Sequence, residues 1–227
     1  MSSHRQIFRS SAIIGASSVI NMLIGIVKVK ALALMLGPVG IGLMGLYMNI
    51  MSIAATIAAC GMGSIGVRQV AAVADEAETL SIVRRALWLG SLILGVGGMA
   101  ILWLTRESVA LLVFGDDSHV GDVGWLGLGL LFTVIAGSQT AVLQGLRRIG
   151  DLAKITIISG LIGALLGISA AYFLGTNGVV WFVVAAPATT FLAASYYAAR
   201  LPRPQAACDL SAIRRQWLVI LKLGIPI

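Results

Sequence analysis

Six apolar runs, each long enough to cross a bilayer as a helix, follow one another along this chain with only short connectors between them. That repetition leaves few folds open. A spanning helix needs about 20 mainly apolar residues, and every backbone polar group inside the hydrocarbon must be paired within the structure. The runs extend from about Ser11 to Leu36, Ile41 to Val67, Ala86 to Leu104, Val123 to Leu143, Ile155 to Leu174 and Val179 to Ala199. A seventh begins near Trp217 and reaches only Ile227, about half a crossing, which predicts a piece of a longer protein. Hydrophobic residues make up 59% of the chain and charged residues 11%, at a mean hydropathy of +0.98, a combination foreign to soluble domains. The expected fold class is an all-α polytopic membrane protein.

Lys28 and Lys30 stand inside the first of these runs. A charge at the bilayer centre costs roughly 2.5 to 3.5 kcal/mol on insertion scales, so chains keep one where it faces a polar cavity or a partner. At 100 degrees per residue, Ser10, Ser17, Asn21 and Lys28 fall within about 40 degrees of one another and form one polar face. Lys30 lies about 200 degrees from Lys28, on the face of Ala12, Val19, Leu23 and Ile26, so a regular helix cannot aim both lysines into one lumen. Lys30 is six residues from Leu36, about 9 Å at helical rise, and its ammonium can snorkel much of that way. No acidic residue lies within the spans to pair with either lysine, and a basic lumen favours an anion such as a phosphate or pyrophosphate. Arg68 and Arg147, at helix ends, are placed to receive that anion first.

Basic residues sort by connector. Arg5, Arg9, Arg68, Arg84, Arg85, Arg147, Arg148, Lys154, Arg200, Arg203, Arg214, Arg215 and Lys222 fall on one side, and Arg106 alone on the other. Basic loops stay cytoplasmic, so the N-terminus is expected there, and the net charge of +7 is a topology signal. Scattered over short membrane loops without an aromatic platform, these charges do not describe a nucleic-acid surface.

Two connectors on the opposite side share a pattern: Leu36, Gly37, Pro38, Val39, Gly40 and Leu174, Gly175, Thr176, Asn177, Gly178 both read LGxxG. Glycine permits the left-handed angles of tight turns, so each predicts a helical hairpin. Gly160, Gly163 and Gly167 line up within the fifth run, where small residues let a neighbouring helix of the same chain approach. Pro187 interrupts the sixth run and predicts a kink, with Thr189 and Thr190 helping to satisfy the carbonyl that proline leaves unpaired.

Enzyme chemistry finds no foothold. No acid pair shares a spanning face, and no Ser, His and Asp set converges. Gly61, Gly63 and Gly66 formally spell GxGxxG but lie near the end of a spanning helix, without the βαβ unit that a dinucleotide needs, so no cofactor is expected. Cys60 and Cys208 have neither a pairing framework nor metal-site spacing. His119 near Asp116, Asp117 and Asp122 fits no standard ligand pattern, and the connector holding them is expected to be solvated.

The segments KALALMLGPVGIGLMGLYMNI from Lys30 to Ile50, GMGSIGVRQVA from Gly61 to Ala71, LQGLRRIGDLAK from Leu143 to Lys154 and the closing LKLGIPI resemble the polysaccharide flippases of the O-antigen translocase (Wzx) type. These belong to the exporter superfamily that also contains the MATE drug exporters. The resemblance implies a bundle of twelve or more helices in two lobes around a central cavity. This chain would supply the N-terminal six-helix lobe, residues 1–200, then a basic cytoplasmic connector, 201–216, and the start of a seventh helix, 217–227. It also implies export of undecaprenyl-pyrophosphate-linked oligosaccharide from the cytoplasmic to the periplasmic leaflet of the inner membrane. Its partners would be the lipid-linked oligosaccharide, membrane lipid, the C-terminal lobe and a polysaccharide polymerase complex, with no nucleic acid. Lys30 matches a basic position in the first span of that family, and Arg147 one after the fourth, so the resemblance prefers Lys30 where the helical face prefers Lys28. A small-molecule exporter of the MATE kind and a non-transporting scaffold are the alternatives.

Overall fold

The computed structural model describes residues 3–201, with side chains from residue 15 onward. Seven helices account for nearly all of it: α1 (Ser3–Ala59), α2 (Met62–Ala72), α3 (Ala77–Leu104), α4 (Arg106–Phe114), α5 (Val120–Gly145), α6 (Ile149–Leu174) and α7 (Gly178–Ala199), with a single 3₁₀ turn at Gly175–Asn177. The expected connector at 201–216 and seventh run at 217–227 lie almost wholly outside the described residues.

Both LGxxG segments turn the chain at a left-handed glycine. Gly37 has φ 63 and ψ −160, and Gly175 has φ 60 and ψ −133. Pro38 reinforces the first break, because a residue before proline is pushed out of the helical region. Leu32 on the first arm of α1 shares an apolar cluster with Leu43, Met44 and Tyr47 on the second, as arms folded back on each other must. In the other hairpin Gly167 meets Phe182 and Gly163 meets Ala186, an antiparallel register that holds over the length of α6 and α7.

Six crossings result: the two arms of α1, α3, α5, α6 and α7. The second arm does not run smoothly to Val67 as the hydropathy predicts. Cys60 (φ 44) and Gly61 (φ 72) break it, and α2 carries the chain on to Ala72. The connector after α3 is also more ordered than expected, since it folds into α4, whose Ala110 is buried and whose end is capped by Gly115 at φ 79. Beyond it the Ser118 hydroxyl and amide both donate to Asp116 Oδ1, at 2.5 and 3.0 Å, and hold that carboxyl below the usual range.

α5 is the axis of the lobe: 67% of its most apolar stretch is buried, against 6% for α1. Two apolar layers stack along it. One, around Tyr47, Leu126, Leu130 and Phe182, lies toward the glycine turns; the other, around Val70, Leu87, Leu143 and Ile155, lies toward the end rich in arginine, the basic face. Ser91 and Ser138 hydrogen-bond at 2.9 Å where α3 crosses α5, pairing two buried hydroxyls that would otherwise be costly in an apolar interior.

Candidate functional site

The polar stripe of α1 meets the α6–α7 hairpin at a cavity of about 350 Å³, lined by Asn21, Ile24, Gly25 and Lys28 from α1, Thr140 from α5, Leu152 to Gly160 on one face of α6, and Ala186 and Thr190 from α7. These α6 positions lie in its first half, Thr140 lies in the half of α5 toward the basic face, and Ala186 and Thr190 flank the middle of α7, so the cavity extends from mid-lobe toward that side. Lys28 stands at its far end, about 13 Å from Gly37 at helical rise.

Each wall has a local reason. Gly160 leaves room for Asn21: a Cβ there would sit 2.7 Å from Asn21 Oδ1. Gly163 and Gly167 do the same for α7, where an added Cβ would lie 3.0 Å from Thr189 Oγ1 and 2.9 Å from Phe182 Cδ2. The stripe therefore packs within the chain, as the spacing predicts, with Gly160 against α1 and its companions against α7. Lys28 Nζ lies 4.9 Å from the centroid of the Phe182 ring.

The hydroxyls of the cavity donate back to their own helices, Thr140 to Ala136 and Gly137, Thr156 to Leu152, and Thr190 to Ala186, at 2.8 to 3.0 Å. That leaves the Lys28 ammonium and the Asn21 carboxamide as the donors best placed for a ligand. Lys28 is the charged group in the lining, and no carboxylate accompanies it. A pocket with one cation, one carboxamide and four hydroxyl groups suits an anion carried by a larger polar molecule.

The predicted site residues separate. Lys28 and Asn21 share the cavity, as their common helical face requires. Lys30 is exposed on the outside of α1, and Arg68 and Arg147 are exposed near the basic face, none of them in the lining. Arg147 adopts φ 54 in the tight link between α5 and α6. Thr140, Thr156 and Phe182 were not foreseen, because a lone threonine or phenylalanine in an apolar run carries no signal of the surface it meets.

Two other expectations change in detail. α7 continues through Pro187 as one helix, and Thr189 and Thr190 donate to Ala185 and Ala186 instead of to the Val183 carbonyl that proline frees; Thr189 also lies 3.1 Å from the Ser159 carbonyl across the α6 contact. His119 does not stand free in solvent. Its Nδ1 lies 3.1 Å from both Asp122 Oδ2 and Tyr47 Oη, and Tyr47 donates to the same carboxylate oxygen at 2.5 Å. This cluster ties the second arm of α1 to the start of α5.

The family model described as polysaccharide biosynthesis protein matches residues 7–226. Among solved structures, a MOP superfamily transporter from Pyrococcus furiosus superposes with a TM-score of 0.72 at 17% identity, over 96% of this chain and 50% of that one. The chain thus spans about half the length of that transporter. No curated protein matches.

Proposed function

The chain belongs to the polysaccharide biosynthesis protein family, and from that premise we propose that it is the N-terminal lobe of a flippase for lipid-linked oligosaccharide. The cargo would be an undecaprenyl-pyrophosphate-linked unit of O-antigen or a related polysaccharide. It would move from the cytoplasmic to the periplasmic leaflet of the inner membrane by rocking of this lobe against a second one. The basic face is then cytoplasmic, in accord with the distribution of arginine.

One observation carries the reading: an ammonium, unaccompanied by any carboxylate, at the far end of a cavity on the basic side of the lobe. A unit charge about 4 Å from an opposite one contributes about 4 kcal/mol at an effective dielectric of about 20, enough to offset the insertion cost of the lysine and to favour entry of a pyrophosphate. Asn21 would donate to a second oxygen, and the sugars would remain in the hydrated part of the cavity. Arg68 and Arg147 keep the role of a first attraction at the basic face, and Lys30 that of a snorkelling anchor. An exporter of small cations is disfavoured because a cation would meet Lys28 without a compensating acid.

The test is flipping of a pyrophosphate-linked oligosaccharide in proteoliposomes by the full-length gene product. Lys28→Met should lower the rate at least tenfold and Lys30→Met less than about threefold, since each tenfold corresponds to about 1.4 kcal/mol. Equal, small losses for both would sink the assignment, and unchanged export in the double variant would favour a scaffold.

A further inference from the structure

Lys28 has two places to put its ammonium. Its stem can turn toward the glycine-turn end, about 13 Å away at helical rise, as lysines near a membrane boundary do, or it can stay at the cavity. It reaches a short way toward the glycine turns while still lining the cavity, and rests on the ring of Phe182, a residue of the apolar layer on that side, 4.9 Å from the centroid. That ring is 1% exposed and cannot retreat, because it is seated on Gly167: a Cβ added there would lie 2.9 Å from Phe182 Cδ2 and 3.3 Å from its Cα. The face of an aromatic ring attracts a cation in a way that an aliphatic side chain of equal size does not, and the attraction grows when water is excluded. We propose that Phe182, seated on Gly167, is a positioning residue that holds the Lys28 ammonium at the end of the cavity where an anionic ligand meets it. The inference rests on the anion-binding reading of the cavity and adds a residue from a different helix that neither hydropathy nor charge distinguishes. It also gives Gly167 a role besides helix packing, since the ring sits where it does only because that position lacks a side chain.

Fluorinated phenylalanines test this without changing shape. The full-length protein in lipid nanodiscs would carry 4-fluoro-, 3,5-difluoro- or 3,4,5-trifluorophenylalanine at position 182, and binding of farnesyl pyrophosphate would be measured for each. The dissociation constant should rise stepwise with fluorine number, roughly three- to tenfold over the series, and stay level along the same series in a Lys28→Met background. The ¹⁹F resonance of 4-fluorophenylalanine at 182 should also shift on Lys28→Met, with or without ligand. A flat series in the native background, a slope that persists without the lysine, or a resonance indifferent to Lys28→Met would each overturn the proposal. Failure of farnesyl pyrophosphate to bind while the resonance still responds to Lys28→Met would sink the anion-binding reading and leave the ring contact standing.

Discussion

The lobe contains two helical hairpins that turn alike and pack differently. α1 reverses at Gly37 and the α6–α7 pair at Gly175, with φ values of 63 and 60 and the same LGxxG pattern. In the second hairpin Gly160, Gly163 and Gly167 of α6 are filled against Asn21, Thr189 and Phe182. In the first, Gly15, Gly25, Gly42 and Gly45 have nothing within 4 Å of where a Cβ would stand. The turn therefore decides only that the chain comes back. What decides whether the hairpin becomes a packed wall is the row of small residues on its inner face. The open hairpin brings Lys28 and Asn21 to the cavity, and the closed one forms the surface they meet.

The most damaging way to break this contrast is at the closed hairpin. A Cβ at Gly178 would run into the backbone carbonyl of Ala170, which no side-chain rotation relieves, so Gly178→Ala should cost about 3 kcal/mol and leave little monodisperse protein on size exclusion after mild heating. Next comes the clamp that fastens the open hairpin to α5. Asp122→Ala removes the acceptor of the buried Tyr47 hydroxyl and should cost about 1 to 3 kcal/mol, read as a lower melting temperature and faster proteolysis. The turns themselves should respond equally. Gly37→Ala and Gly175→Ala each force a left-handed angle on an L-residue and should each lose about 1 to 2 kcal/mol, and a large difference between them would show that the turns are not equivalent. The mildest effect belongs to the open glycines: Gly45→Ala meets no atom and should leave the melting temperature unchanged or raise it, by up to about 1 kcal/mol. Marked loss there would mean that another surface covers this face in the working protein.

Much of this was legible because the bilayer imposes simple rules. Apolar length and glycine turns mark the six crossings, and the helical face of Ser17, Asn21 and Lys28 selects Lys28 over Lys30 as the lysine at the cavity. The break at Cys60 and Gly61 was not legible, since apolar residues continue across it and only the backbone angles change. Nor was α4, whose short helix depends on packing under the loop and on Gly115. Phe182 and the threonines of the cavity were missed for a related reason: which face of an apolar helix meets which neighbour depends on the crossing of several helices, and no single periodicity records it.

The central claim is that Lys28, and not Lys30, presents its charge to an anion in the cavity. Thiol labelling tests it most directly, with Gly25→Cys in the cavity wall of a full-length protein free of Cys60 and Cys208, and a water-soluble reagent added at the basic face. The account predicts that farnesyl pyrophosphate protects this thiol, that Lys28→Met abolishes the protection and that Lys30→Met leaves it intact. Protection that survives Lys28→Met, or that is lost with Lys30→Met, would contradict it.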